Sequence, residues 1–152
     1  MKHGEMLGKM IVLATNAHAG QFDKGGRPYI LHPLAVMQLT GSDDEEVLAA
    51  AVLHDVVEDC DETWEGLIKA GATENVVLAV MALTKMPGQT YSEYKEAVKA
   101  NKIATLVKMA DLKHNGDFRR LKGVTEKDTK RMAKYMIFFA ELEAHARERG
   151  WI

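Results

Sequence analysis

Apolar side chains recur along most of the chain at intervals of three and four residues, the spacing that places them on one side of an α-helix. The first such stretch runs from Met6 to Ala17. The same spacing predicts further helices at about residues 33–39, 43–57, 63–70, 74–84, 91–100, 102–117 and 126–148. No stretch alternates apolar and polar residues with the period of two that a strand requires. The pattern therefore predicts an all-α fold, a helical bundle that forms one domain over residues 1–152.

Two of these helices have a start that the sequence marks. Ser42 is followed three residues later by Glu45, and Thr90 is followed by Glu93. This is the capping-box pattern, in which each side chain bonds the backbone N–H of the other residue. We therefore expect one helix to begin directly after Ser42 and another directly after Thr90.

A histidine and a loop precede the second predicted helix. His32 stands before Pro33, which disfavours a helical backbone at His32 and suits the first position of a helix. We therefore expect His32 to lie at the entrance of that helix. The segment 20–28 is rich in glycine and charged residues, so we predict an ordered surface loop of the kind that often contacts ligands.

The composition narrows the classes of function. Lys and Arg total 20 and Asp and Glu total 22, so no overall basic field favours nucleic acid or an anionic membrane as a partner. A single cysteine, Cys60, excludes an internal disulfide, and no apolar run approaches the roughly 20 residues that span a bilayer. The N-terminus lacks the form of a secretory signal. We therefore expect a cytoplasmic protein.

Four ionisable side chains lie within six residues of the predicted helix 43–57. They are His54, Asp55, Glu58 and Asp59. At about 100° per residue all four share one arc of the helix, the arc that is apolar one or two turns earlier. The pattern therefore predicts that they point inward. Buried carboxylates require a cation or several hydrogen bonds, and a divalent metal supplies the largest local positive charge.

A second helix repeats this arrangement. Asp111 continues the apolar stripe of Ala104 and Val107. Together with His32 and the His54–Asp55 pair, it would place two imidazoles and two carboxylates around one metal ion. Simpler interpretations remain at each position taken alone: a His–Asp pair on a surface, a histidine that caps a helix, or a buried acid paired with Lys108. Outside this set, His18 is interpreted as a histidine at a helix end, with a modest chance of a role in the site.

Five segments, in this order, resemble those of the RelA/SpoT-type alarmone hydrolase domain, which belongs to the HD superfamily of helical metal phosphohydrolases. They are His18–Gln21, Arg27–Pro33, Leu53–Asp59, Leu83–Lys85 and Val107–Asn115. The similarity spans roughly residues 10–120. The His-Asp-x-x-Glu-Asp and Lys-x-Ala-Asp-x-x-His-Asn elements are specific in combination.

The resemblance implies an enzyme that uses Mn²⁺ and metal-activated water to remove the 3′-pyrophosphate from (p)ppGpp. Its metal ligands would be His32, His54, Asp55 and Asp111. Its catalytic acids, which orient or deprotonate water, would be Glu58 and Asp59. The residues expected to contact the nucleotide substrate are Lys24, Arg27, Tyr29, Lys108 and Asn115.

The chain departs from the family at the rim of the expected pocket. Asp23 occupies a position where the alarmone hydrolases usually carry a basic residue, and Lys113, Gly116 and Asp117 replace other expected residues. Two alternatives therefore remain: a phosphohydrolase for another phosphorylated nucleotide, and a catalytically silent nucleotide-binding module. The mixed nitrogen and oxygen ligand set also suits Fe²⁺, Zn²⁺, Co²⁺ or Ni²⁺. The apolar helices could form a homodimer.

Overall fold

The computed structural model describes residues 2–152, which form nine α-helices and no β-strand. The helices are α1 (Glu5–Ala17), α2 (Leu31–Leu39), α3 (Glu45–Leu53), α4 (Val56–Asp59), α5 (Trp64–Lys69), α6 (Glu74–Leu83), α7 (Tyr91–Lys99), α8 (Lys102–Asn115) and α9 (Glu126–Glu148). A short 3₁₀ turn at Phe118–Arg120 follows α8. The all-α prediction is confirmed.

Polar side chains cap most of the helix starts. Thr90 and Glu93 form the predicted capping box at the start of α7. The prediction for Ser42 and Glu45 is wrong, because Asp44 caps α3 by accepting a hydrogen bond from the backbone N–H of Glu46. The Glu45 carboxylate instead accepts a hydrogen bond from the backbone N–H of Gly4, at 2.6 Å. Glu45 therefore fastens the start of α1 to α3.

The predicted helix 43–57 is broken at its functional end. Helix α3 stops at Leu53, His54 and Asp55 form a turn, and α4 follows as a separate helix of four residues. The Nδ1 atom of His54 lies 2.7 Å from the carbonyl oxygen of Ala51, so the side chain competes for an acceptor that the helix would otherwise use. A constant rotation of about 100° per residue therefore fails beyond this point.

Helix α2 begins earlier than expected. His32 and Pro33 both lie inside its first turn, so the prediction that His32 would be non-helical is wrong. The first turn tolerates proline because its N–H groups have no partner within the helix. His32 still lies at the entrance of α2, as expected.

Helix α3 lies at the centre of the molecule and contacts α1, α2, α6 and α8. Its residues 49–53 are completely buried. Helix α9 covers α7 and α8, and its Phe138 and Leu142 enter the same core. Because α2, α3 and α8 contact one another, the start of α2, the end of α3 and the last turns of α8 come together. Over residues 2–152, none of the helices combines the length and the apolar character that crossing a membrane requires.

Candidate metal centre

Four of the predicted metal ligands converge where α2, α3 and α8 meet. The Nε2 atoms of His32 and His54 lie 3.0 and 3.3 Å from Asp111 Oδ1. The Oδ2 atom of Asp55 lies 3.1 Å from His54 Nε2 and 3.7 Å from His32 Nε2. His32, His54 and Asp55 each offer a ligand atom within 4.8 Å of the other two. The structure thus brings together two imidazoles and two carboxylates from distant parts of the sequence.

This cluster fits a divalent cation. Ligand atoms held about 2.0–2.2 Å from one ion lie about 3–3.5 Å apart, a range that includes three of these four separations, and the fourth, between His32 and Asp55, is 3.7 Å. The side chains of His32, His54 and Asp111 are only 2%, 3% and 5% exposed. His54 Nε2 is buried and has no hydrogen-bond partner among the described residues, although it faces two carboxylates. A nitrogen left unpaired in a polar cluster is typical of a metal ligand, and the mixed ligand set suits several divalent transition metals.

The charges of the cluster shift its pKa values strongly. Burial lowers the pKa of His54, but the carboxylates of Asp55 and Asp111 outweigh burial and raise it well above 6.5. Burial raises the pKa of Asp111, but Lys108 and His54 hold it well below 3.8. The pKa of Asp55 falls to about 2, because His54 outweighs the effect of burial. A bound divalent ion would compete with protons for these side chains.

Three neighbouring side chains hold the carboxylates in place. The Tyr29 hydroxyl donates a hydrogen bond to Asp55 Oδ2 at 2.6 Å. Lys108 Nζ donates to Asp111 Oδ2, and Asn115 Nδ2 donates to Asp111 Oδ1, both at 2.9 Å. Tyr29, Lys108 and Asn115 were expected to contact substrate. The structure places all three directly behind the metal cluster, with Lys108 engaged by Asp111.

The two predicted catalytic acids lie at the edge of the cluster. Glu58 and Asp59 are exposed on α4, so the prediction that they point inward is wrong. The break between α3 and α4 is the reason, because it turns α4 away from the stripe that α3 buries. Partial burial of the carboxyl groups, and then the charge of Asp55, raise the pKa of both Glu58 and Asp59. A carboxylate with a raised pKa is a stronger base than an ordinary surface acid.

A cavity of about 260 Å³ adjoins the metal cluster. Tyr29 and Asn115 belong both to its wall and to the shell around the cluster. Lys24 lines the cavity, as expected for a substrate contact, whereas Arg27 is exposed and is not part of the wall. The apolar part of the cavity wall consists of Phe22, Leu121, Met132 and Tyr135. The cavity therefore offers apolar surface for a ring and polar groups toward the cluster.

The acidic residue that replaces a basic one in this cavity has a cationic partner. Asp23 lies 3.4 Å from Arg120 Nη2 and also accepts a hydrogen bond from the Arg27 backbone N–H at 2.9 Å. Arg120 Nη1 in turn donates to Asn115 Oδ1 at 2.9 Å. Positive charge thus reaches this wall from the turn after α8. The pair joins residues that are 97 positions apart, so the sequence pattern did not reveal it.

Two histidines outside the predicted ligand set lie near the cluster: His18 caps the end of α1, as predicted, whereas the contacts of His114 were not predicted. His114 Nδ1 lies 2.7 Å from His32 Nδ1, and the planes of the two rings differ by 17°. Burial and the charge of Arg120 lower the pKa of His114 to about 4, so its ring is neutral near pH 7. His18 is buried, and its Nδ1 bonds Gln21 Oε1 at 2.8 Å. The spacing of His114, three residues after Asp111 on one helix, could have indicated its role.

The comparisons with known proteins agree with this geometry. The family model described as "HD domain" matches residues 11–121. The chain belongs to the HD domain family. A solved structure described as a metazoan ortholog of SpoT that hydrolyses ppGpp resembles this HD domain with a TM-score of 0.74 and 25% identity. That similarity covers 100% of this chain and 99% of the other.

Two curated relatives are similar in sequence to this HD domain. The Vibrio cholerae guanosine-3′,5′-bis(diphosphate) 3′-pyrophosphohydrolase is 40% identical over 99 residues, which are 64% of this chain and 14% of the relative. The Haemophilus influenzae protein of the same name is 33% identical over 135 residues, which are 81% of this chain and 20% of the relative. The HD domain thus spans a fifth or less of these relatives, and the family resemblance read from the sequence is confirmed.

Proposed function

We propose that this HD domain is an Mn²⁺-dependent hydrolase that removes the 3′-pyrophosphate from (p)ppGpp. The observation that carries the proposal is the convergence of His32, His54, Asp55 and Asp111 beside a cavity large enough for part of a nucleotide. The names of the two curated relatives, and the ppGpp hydrolysis described for the solved structure, support this substrate. Lys24, which lines the cavity, would supply positive charge for a polyanionic ligand.

The proposed reaction is the addition of water to the phosphorus next to the ribose 3′ oxygen. The bond between that phosphorus and the 3′ oxygen breaks, pyrophosphate leaves, and the 3′ oxygen receives a proton. A bound divalent ion would lower the pKa of water and offset the charge of the phosphoryl oxygens. The Glu58 carboxylate would accept the proton of the attacking water, with Asp59 orienting that water.

The side chains around the cavity would position the nucleotide. Asn115 has its amide nitrogen on Asp111, so its position relative to the metal cluster is fixed. It would hold the ribose beside the phosphates that react. The ring of Phe22 is 67% exposed at the cavity, where a base can stack on it. Lys24 would balance phosphate charge at the mouth.

Release of pyrophosphate from ppGpp in the presence of MnCl₂ tests the proposal directly. The Glu58→Gln substitution removes the base while leaving the four proposed ligands unchanged. We expect kcat to fall by about 10²–10⁴-fold with bound manganese retained by elemental analysis. Glu65→Gln, at an exposed glutamate of α5, is the matched control and should behave like the wild type. Unchanged turnover in Glu58→Gln would remove Glu58 from the mechanism.

A second candidate is a phosphohydrolase that acts on another phosphorylated nucleotide. The Asp23–Arg120 pair in the cavity wall favours it, because this pair changes the groups that meet the base. A panel of nucleotides assayed with Mn²⁺ separates the two candidates. Orthophosphate from a different nucleotide would support the second candidate, and nucleotide binding without any turnover would indicate a silent binding module.

A further inference from the structure

The two ring nitrogens of His32 have different partners. Its Nε2 faces the metal cluster, 3.0 Å from Asp111 Oδ1. Its Nδ1 faces away from the cluster and lies 2.7 Å from Nδ1 of His114. The His32 side chain is 2% exposed, so no water competes for that second nitrogen. The contact between the two imidazoles is therefore part of the support of the cluster.

A short contact between two imidazole nitrogens constrains where the protons lie. A neutral imidazole has one nitrogen that donates and one that accepts a hydrogen bond. If His32 ligates an ion through Nε2, that nitrogen carries no proton, so Nδ1 must carry it. His32 Nδ1–H then donates to His114 Nδ1, which accepts, and the proton of His114 must lie on its own Nε2. One geometry thus fixes both tautomers.

The other imidazole of the cluster is held by a different kind of acceptor. His54 Nδ1 lies 2.7 Å from the carbonyl oxygen of Ala51, and a carbonyl can only accept. The backbone therefore fixes the tautomer of His54, whatever side chains surround it. The tautomer of His32, in contrast, is fixed by a side chain, that of His114. Partners of this kind orient metal-bound histidines and raise their basicity.

The position of His114 is itself fixed by the structure around it. His114 belongs to α8, three residues after Asp111, and its ring lies nearly coplanar with that of His32, with centroids 5.0 Å apart and the two Nδ1 atoms facing each other. The guanidinium of Arg120 donates to the backbone carbonyl of His114 at 3.2 Å. The ring therefore cannot turn away from His32 without losing the contact between the two Nδ1 atoms.

We propose that His114 is a positioning residue for the metal centre: it holds His32 in the tautomer with the proton on Nδ1 and aims Nε2 at the ion. The inference rests on the metal centre of the proposed function but not on the identity of the substrate. It assigns His114 no contact with substrate.

Two substitutions separate the acceptor from the ring. His114→Phe keeps an aromatic ring but has no acceptor, whereas His114→Asn places a carbonyl oxygen near the position of Nδ1. Mn²⁺ affinity measured by titration calorimetry should fall about 10–100-fold in His114→Phe and remain within about threefold of the wild type in His114→Asn. His3→Phe is the control, because His3 is exposed and distant from the cluster.

Thermal unfolding in EDTA shows whether the variants fold, and we expect the melting temperature of His114→Phe to stay close to that of the wild type. Independently, ¹⁵N NMR of the Zn²⁺-loaded wild type should show a proton on His32 Nδ1 and none on His114 Nδ1. Wild-type Mn²⁺ affinity in His114→Phe, a loss in His114→Asn as large as in His114→Phe, or a proton on His114 Nδ1 would each overturn the inference.

These outcomes also distinguish the inference from the proposed function. If the wild type binds Mn²⁺ and the His114 variants behave as expected, but ppGpp is not hydrolysed, only the proposed function fails. If ppGpp is hydrolysed and His114→Phe binds Mn²⁺ like the wild type, only the inference about His114 fails. A wild-type chain that binds no divalent ion refutes both.

Discussion

Replacing Lys108 by methionine should destabilise the protein most when the metal is absent. Lys108 Nζ lies 2.9 Å from Asp111 Oδ2, and the two side chains are 16% and 5% exposed. Methionine keeps most of the volume of the lysine stem but removes the ammonium group that lies against Asp111 Oδ2. The change therefore tests one interaction, the compensation of a buried charge.

The expected loss of stability follows from the burial of the ion pair between Lys108 and Asp111. Removing one partner of a buried ion pair costs about 3–5 kcal/mol of unfolding free energy. The Asn115 amide still donates to Asp111, and Lys108 is partly exposed, so we expect a loss of about 3 kcal/mol. For a domain of this size that loss lowers the melting temperature by about 6–12 °C. A bound ion supplies positive charge to the same carboxylate, so saturating Mn²⁺ should reduce the difference.

Circular dichroism melting curves at pH 7, in EDTA and in saturating MnCl₂, measure the loss of melting temperature and its reduction by the metal. Lys102→Met is the matched control, because Lys102 is exposed in the first turn of the same helix. It should change the melting temperature by no more than about 2 °C, as surface substitutions usually do. The reasoning is refuted if Lys108→Met and the wild type have the same melting temperature in EDTA, or if Mn²⁺ does not reduce the difference between their melting temperatures.

Three further predictions concern neighbouring contacts. Tyr29→Phe removes the 2.6 Å hydrogen bond to Asp55 and should lower the unfolding free energy by about 2 kcal/mol in urea titrations with EDTA; no change would mean that the bond contributes nothing. The Thr125 backbone N–H, then Arg131, lowers the pKa of Asp128 from 3.8 to about 2, so this carboxylate stabilises the fold above pH 3.8 and ceases to do so as pH falls through 2. Asp128→Asn should therefore melt below the wild type at pH 7, with a gap that closes between pH 4 and 2; a gap independent of pH contradicts this. Asp23→Asn and Arg120→Gln, measured alone and as a double mutant, should show a coupling of about 1 kcal/mol in the free energy of unfolding. Additive effects of the two substitutions would show that their contact does not stabilise the fold.

The sequence predicted the helices well where local signals determine them. The start of α7 follows from Thr90 and Glu93, whose side chains bond each other's backbone within four residues. The start of α3 was predicted at the wrong residue, because Glu45 bonds the backbone of Gly4, directly before α1, a contact that no local pattern shows. Helix boundaries thus depended on tertiary contacts wherever a capping residue had a competing partner.

The sequence singled out the four side chains that converge in the candidate site, but not the contacts that support them. His54, Asp55 and Asp111 stand out as ionisable residues that continue apolar stripes, and His32 stands out as a histidine before a proline at a helix start. The orientation of Glu58 was not predictable, since the periodic pattern continues through the turn that ends α3. The contacts of His114 and Arg120 join segments 82 and 97 residues apart, and only the folded chain brings them together.

The distance along the chain between two of the ligands has a consequence for how the protein resists degradation. His32 and Asp111 are 79 residues apart, so an ion that they share would close a loop of more than half the molecule. Closing a long loop restricts the unfolded chain more than closing a short one, as a disulfide does. The ion would thus act as a removable cross-link, and chelation would convert a protease-resistant protein into one that is readily digested.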